Sequence, residues 1–264
     1  MRSSVRRPTF TVDTLLKLSL TALETLPEFQ PGDDLAQEIL EAASREGLSW
    51  KDHAVVVIAQ KVVSKTEGQA VDLRTIEPSH RAQRFAQEFD KDPQLVELVL
   101  QQSRRIVRME HGVIISETRH GFICANAGVD RSNITGERMA TLLPENPDTS
   151  AQRIREKLMG ATGVDCAVII SDSFGRPWRV GQVDVAIGVA GIAPLEDYCG
   201  RADRHGRELN ATCIAVADEL SAAAGLLMQK DAGRPVVVVD GFTGSGGSGR
   251  TVDLLREPGK DLFR

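Results

Sequence analysis

Two short stretches of the sequence set an acid close to a neutral oxygen ligand. In "SDSFGRPWR" these are Asp172 and Ser173; in "ANAGVDRSN" they are Asp130 and Asn133. Each stretch follows a segment of strand character, so both acids are expected just past strand ends. Read singly, each is an ordinary turn, because Asp, Asn, Ser and Gly are turn formers for local reasons. Read together they resemble a site for Mg²⁺ or Mn²⁺, whose hard oxygen ligands hold a cation against phosphates. A third strand end opens on "KVVSKTEG", where Lys61 and Lys65 are either solvated lysines or point charges for a polyphosphate. Arg176 and Arg179 would suit an anion. Arg201, Arg204 and Arg207, with His205, form either a second anion-binding loop or a surface salt-bridge patch.

Other chemistries find little support. "GSGGSG", from Gly244 to Gly249, matches a dinucleotide fingerprint literally, but too little chain follows it for the rest of a βαβ unit. It reads as a glycine loop. There is no Walker P-loop and no G-x-S-x-G elbow, and the histidines lack zinc spacing. The chemistry that remains is electrostatic, with cations stabilising phosphoryl transfer and positioning contributing the rest.

The chain that must position these groups has 264 residues, 41% hydrophobic and 26% charged, enough for a substantial core. A formal net charge of -5 gives no reason to expect a nucleic-acid or membrane-surface binder. Cys124, Cys166, Cys199 and Cys213 form no C-x-x-C pair, and three of them sit in apolar segments, as buried thiols of a reducing compartment would. No apolar run has the length of a membrane span, and the basic start leads into no long apolar stretch. The expectation is a cytoplasmic protein with a flexible extension over residues 1–15 and a single domain over 16–264.

Alternating Leu16, Leu18, Leu20 and Ala22 predict a strand. Asp33 or Asp34 caps a helix carrying "LAQEILEAASREG", which stops at Gly47. "AVVVIAQ" is a buried strand that runs into the turn "KVVSKTEG". Amphipathic helices are expected over 78–89 and 93–109, then a hairpin turning at His120-Gly121. A helix over 151–159, capped by Asp148 or Ser150, leads to the strand "CAVIISD" and the Gly-punctuated run "QVDVAIGVAGIAP". "CIAVADELSAAAGLLMQK" is a small-residue helix and "PVVVVDG" a last strand. Without a strict βαβ rhythm, the fold class is α+β: mixed sheets with flanking helices, in two interlocked lobes meeting near 134–148.

"LPEF", "KVVSKTEG", "ANAGVDRSN", "SDSFGRPWR", "AIGVAG" and "AVADELSAAAGLLM" occur in this order in the coenzyme F-420:L-glutamate ligases, which the chain resembles from about residue 16 to 256. The resemblance implies a gamma-glutamyl ligase fold and a tight homodimer. It implies GTP-dependent addition of L-glutamate to the glutamate-free deazaflavin coenzyme, with further glutamate added through a gamma-linkage. It also implies Mg²⁺ or Mn²⁺ and admits K⁺. Carried over by motif, Leu26, Pro27, Glu28 and Phe29 form the first nucleotide-binding loop, while Gln60, Lys65 and Asn133 contact GTP. Gln60 departs from the small hydroxyl residue commoner at its position, yet an amide also donates and accepts hydrogen bonds. Asp130 and Asp172 would bind the cation, with Ser173 where relatives carry Thr or Ser. Archaeal relatives place a further acidic ligand about where Lys230 stands here; either Asp231 substitutes for it or a second metal is held differently. A ligase for another acceptor, such as a folate, and a non-catalytic nucleotide-binding module are the alternatives.

Overall fold

The computed structural model describes residues 16–132, 136, 138–244 and 247–262. Strand β1 (Ser19–Ala22) leads to helix α1 (Leu35–Arg45), where the Asp34 side chain accepts from the Gln37 N–H and so settles which acid is the cap. Strand β2 (Ala54–Ala59) is followed by helix α2 (Gln60–Thr66), β3 (Ala70–Asp72), α3 (His80–Phe89) and α4 (Pro93–Gln102). Then come β4 (Ser103–Glu110), β5 (Val113–Thr118), β6 (Ile123–Ala125), β7 (Met139–Thr141) and α5 (Pro147–Thr162). The chain continues through β8 (Cys166–Arg176), β9 (Arg179–Ala190), β10 (Glu196–Asp197), β11 (Cys213–Ile214), α6 (Val216–Met228) and β12 (Val236–Asp240).

The main sheet has the order β1-β12-β2-β8-β9, with β2 and β8 parallel and the remaining pairs antiparallel. Period-two alternation sends its residues to opposite faces. Val56, Ile58, Val168 and Ile170 pack towards α1 and α5, against Ile39, Ala43, Ile154 and Leu158. Val55, Val57, Ile169, Val237 and Val239 pack on the other face, against Ala217, Leu220, Ala224 and Met228 of α6. Each fully buried Val, Leu or Ile contributes about 1.5–3 kcal/mol relative to exposure. A third cluster, with Leu73, Phe85, Val96, Leu98 and Ile114, knits α3 and α4 to the smaller sheets β3-β7 and β4-β5-β6. The α+β class with mixed sheets is therefore the observed one.

Several expectations are corrected. "KVVSKTEG" is no turn: β2 passes at Ala59 straight into α2, which buries Gln60, Val62, Val63 and Ser64. The helix begun at Pro93 stops at Gln102, and residues 103–110 pair with β5. Helix α5 starts at Pro147, with Asn146 as its cap accepting from the Thr149 N–H; Asp148 instead accepts from the Val189 N–H at 2.9 Å. "SDSFGRPWR" is not a loop but the continuation of β8, paired with β9 as far as Arg176↔Arg179. Of the cysteines, Cys124 and Cys166 are buried, but Cys199, just past β10, and Cys213, on β11 of the two-stranded sheet, are exposed.

One close approach locks the sheet to α5. A Cβ on Gly188 would lie 2.6 Å from the Pro147 carbonyl oxygen, so glycine is what lets the start of this helix seat on β9.

Candidate active site

Where β2 ends, beside the middle of β8, lies a cleft of about 1000 Å³. Parallel pairing, with Ala59 opposite Ser171, sets the end of β2 level with Ser171 and delivers α2 and Asp172 to the same floor. Residues lining the cleft include Leu26, Pro27, Glu28, Phe29, Gln60, Lys61, Lys65, Asp130, Asp172, Ser173, Lys230 and Asp231. Asn133 lies outside the described residues.

The loop before α1 is anchored by Phe29, which is buried in the α1–α5 core, while Glu28 stays exposed at the rim. On α2, the buried Gln60 accepts a hydrogen bond at its Oε1 from the Ser64 hydroxyl, 2.9 Å away. Lys61 and Lys65 are four residues apart, hence on one helical face. Lys65 pairs with Glu28. Lys61 donates to Asp130 Oδ2 at 2.7 Å and to the Ser132 carbonyl oxygen at 2.8 Å.

Asp130 is fixed by a bridge to Thr141, its N–H donating to the Thr141 carbonyl at 3.0 Å and its carbonyl accepting at 2.8 Å. Burial opposes its charge, but Lys61 and the Ser132 N–H and hydroxyl outweigh it and hold the carboxyl below its usual range. Asp172 has the opposite balance. Burial pushes its carboxyl up to about 6, and Asp130 and Asp184 add repulsion, against the Ser173 N–H bond and the Lys230 charge. A buried carboxylate repelled by two further acids is a setting that a divalent cation would relieve.

Asp184 was not singled out from the sequence. It stands opposite Ser173 in the β8–β9 register, accepts a hydrogen bond from the Ser173 hydroxyl, and lies 3.6 Å from the Lys230 ammonium. Lys230 in turn donates to Ser173 Oγ. The available signal was an acid interrupting the apolar run "QVDVAIGVA". Asp231 lines the same cleft, but it is Lys230 that reaches Ser173.

The arginines singled out from the sequence lie outside the cleft lining, although Arg234 belongs to it. Arg176 donates to the Val180 carbonyl at the exposed tip of the β8–β9 hairpin, and neither it nor Arg179 lines the cleft. Arg201 pairs with Glu196 at 3.0 Å and stacks over Tyr198, as a surface salt-bridge residue would.

Among the described residues no three His, Cys, Asp or Glu side chains form a ready metal cage. Asp130, Asp172 and the Ser173 hydroxyl are nonetheless the oxygen donors suited to Mg²⁺ or Mn²⁺, which keep several positions for water and phosphate oxygens. The residues fit such a cation. No helix among the described residues is long and apolar enough to cross a membrane.

A family model described as F420-0:Gamma-glutamyl ligase matches residues 24–241. The chain is 46% identical over 250 residues to a coenzyme F420:L-glutamate ligase of Methanothermobacter thermautotrophicus, covering 94% of this chain and 99% of that one. It is 42% identical over 249 residues to the protein of that name from Methanocaldococcus jannaschii, covering 94% and 97%. The like-named protein of Methanopyrus kandleri is 43% identical over 240 residues, covering 89% and 93%.

Proposed function

Since the chain belongs to the F420-0:gamma-glutamyl ligase family, we propose that it joins L-glutamate to the glutamate-free deazaflavin coenzyme with GTP and Mg²⁺ or Mn²⁺, releasing GDP and phosphate. The observation that carries this reading is one cleft in which Asp130, Asp172 and Ser173 stand among Lys61, Lys65 and Lys230. Acids alone would repel a polyphosphate, and lysines alone would leave no place for a cation. The two sets together suit a nucleotide bound with its metal.

In this reaction a carboxylate oxygen of the acceptor attacks the γ-phosphorus of GTP and GDP leaves, giving an acyl phosphate. The glutamate amine then attacks the acyl carbon, phosphate departs, and the nitrogen loses a proton. When bound, the cation neutralises charge on the phosphates. Asp130 and Asp172 would hold it, beside the Ser173 hydroxyl, which is bonded to Asp184 and Lys230. Lys65 stands ready to exchange Glu28 for phosphate oxygens, and Lys61 to exchange Asp130. Gln60, buried at the cleft wall with its oxygen turned to Ser64, presents an amide donor to the nucleotide.

Incubation of the purified protein with GTP, Mn²⁺, L-glutamate and the glutamate-free coenzyme tests the proposal. The expected product gains mass in glutamate units, with one GDP released per glutamate. GDP release without coenzyme modification, or no nucleotide turnover at all, would overturn it.

A further inference from the structure

In the cleft the Lys230 ammonium stands against two oxygen groups, Ser173 and Asp184. Asp184 is held there by shape as well as by bonding. Its side chain is largely buried, and a Cβ on Gly225 of α6 would lie 2.1 Å from Asp184 Oδ2. The helix therefore omits a side chain where the carboxylate enters. Asp184 accepts from the Ser173 hydroxyl across the hairpin, so the two form a paired oxygen site on adjacent strands.

The same helix delivers the counter-charge. After Met228, Gln229 adopts φ 53° and ψ -178°, a left-handed, extended cap that turns the chain back towards β8. Lys230 follows at once, bonded to Ser173 Oγ and 3.6 Å from Asp184 Oδ1. Its stem is exposed, yet its ammonium is tied to the two oxygen groups that would otherwise offer themselves to a metal.

We propose that Lys230, anchored by Asp184 and Ser173, serves as the second cation of the phosphate site, so that the enzyme binds its nucleotide with a single divalent ion held by Asp130 and Asp172. This rests on the nucleotide- and metal-dependent reading above. An ammonium on the chain needs no loading from solution and cannot be lost to a chelator. It carries one charge instead of two, and three donors instead of a coordination shell.

The test is Mn²⁺ stoichiometry at saturating GDP, read by electron paramagnetic resonance of free Mn²⁺ together with GDP affinity by calorimetry. The wild-type chain is expected to bind one Mn²⁺. Lys230→Ala should keep that one ion and bind GDP about 10- to 100-fold more weakly, the loss of one charge-assisted phosphate contact. Lys230→Glu, which adds a third oxygen group to Ser173 and Asp184, should raise the count to two. Gly225→Ala, which pushes on Asp184 from behind, should weaken GDP in the same direction as Lys230→Ala while the chain stays folded by circular dichroism. Two Mn²⁺ per wild-type chain, or unchanged GDP affinity in Lys230→Ala, would overturn the inference and leave the ligase reading intact. Absence of any Mn²⁺-dependent GDP binding would overturn both.

Discussion

Lys61 of α2 donates to Asp130 Oδ2 at 2.7 Å, so a cation of the cleft and an acid of the cleft are each other's partners before any ligand arrives. Lys65 with Glu28 and Lys230 with Asp184 repeat the arrangement. A metal that binds Asp130 must displace an ammonium, and that ammonium is then available to phosphate. Metal and nucleotide should therefore bind each other's complex better than either binds alone. Lys61→Met is expected to tighten Mn²⁺ binding to the nucleotide-free protein by about two- to fivefold, the scale of a partly exposed ion pair, and to weaken GDP binding. Calorimetric titrations of both ligands check this; Mn²⁺ affinity that is unchanged or weaker would contradict the exchange.

Asp172→Asn should separate function from folding. The amide keeps the shape and removes the buried negative charge. Turnover is expected to fall by about 100-fold or more, at least the scale seen when a metal site loses support. Thermal stability of the metal-free protein at pH 7 should hold or rise, since the charge is one that burial opposes. A variant that retains wild-type turnover would remove Asp172 from the site.

The pH dependence follows from the same group. Its carboxyl is raised in the folded chain from 3.8 to about 6, so the fold binds a proton that the unfolded chain does not between those values. Its charge costs stability in full above pH 6, and the cost is shed as pH falls towards 4, on the order of 2–3 kcal/mol. Metal binding runs the other way. Mn²⁺ affinity should be level above pH 6.5 and drop by up to about tenfold per pH unit below pH 6, with proton release on binding. Titrations in buffers of different ionisation enthalpy measure that proton; its absence near pH 6 would refute the assignment.

Thiol chemistry should sort by location. Burial pushes Cys124 up to about 12 and Cys166 up to about 11, so neither forms thiolate readily at neutral pH. Native alkylation is expected to label only Cys199, just past β10, and Cys213 on β11, both exposed and outside the cleft lining, and to leave ligase turnover unchanged. Peptide mapping after iodoacetamide, alongside an activity assay, decides it. Inactivation that substrate prevents would mean that a thiol belongs to the reaction.

The elements with a strong period were legible in the sequence: the valine strands β2 and β12, the capped helix α1 and the hairpin β5–β6. The failures have physical causes. Helix α2 hides behind Val62 and Val63, whose β-branching favours strands, and only tertiary burial of Gln60 and Ser64 makes its face readable. Strand β4 lost its alternation to register shifts at Ser103/Arg105 and Ile106/Arg108, so Ile106 and Met109 mimicked a helical stripe. The polar end of β8 read as a loop because acid and hydroxyls replace the apolar run there and the arm becomes exposed at Gly175, although it stays paired with β9. Asp130, Asp172 and Ser173 were recognisable by type. Asp184 and the Lys230 contact depend on the hairpin register and on the space left by Gly225, neither of which spacing along the chain reveals.

The strand order β1-β12-β2-β8-β9 also dictates when this molecule can become an enzyme during its synthesis. Only β8 and β9 are neighbours along the chain; the first strand waits for the last, and the parallel pair β2–β8 joins segments more than a hundred residues apart. Such distant pairings are slow to form, and here β12 lies between β1 and β2. A ribosome-bound chain that has not yet released Val236–Asp240 holds every acid and lysine of the cleft, yet lacks the strand that unites the sheet beneath them. Competence would then arrive in one step, once β12 is free to pair.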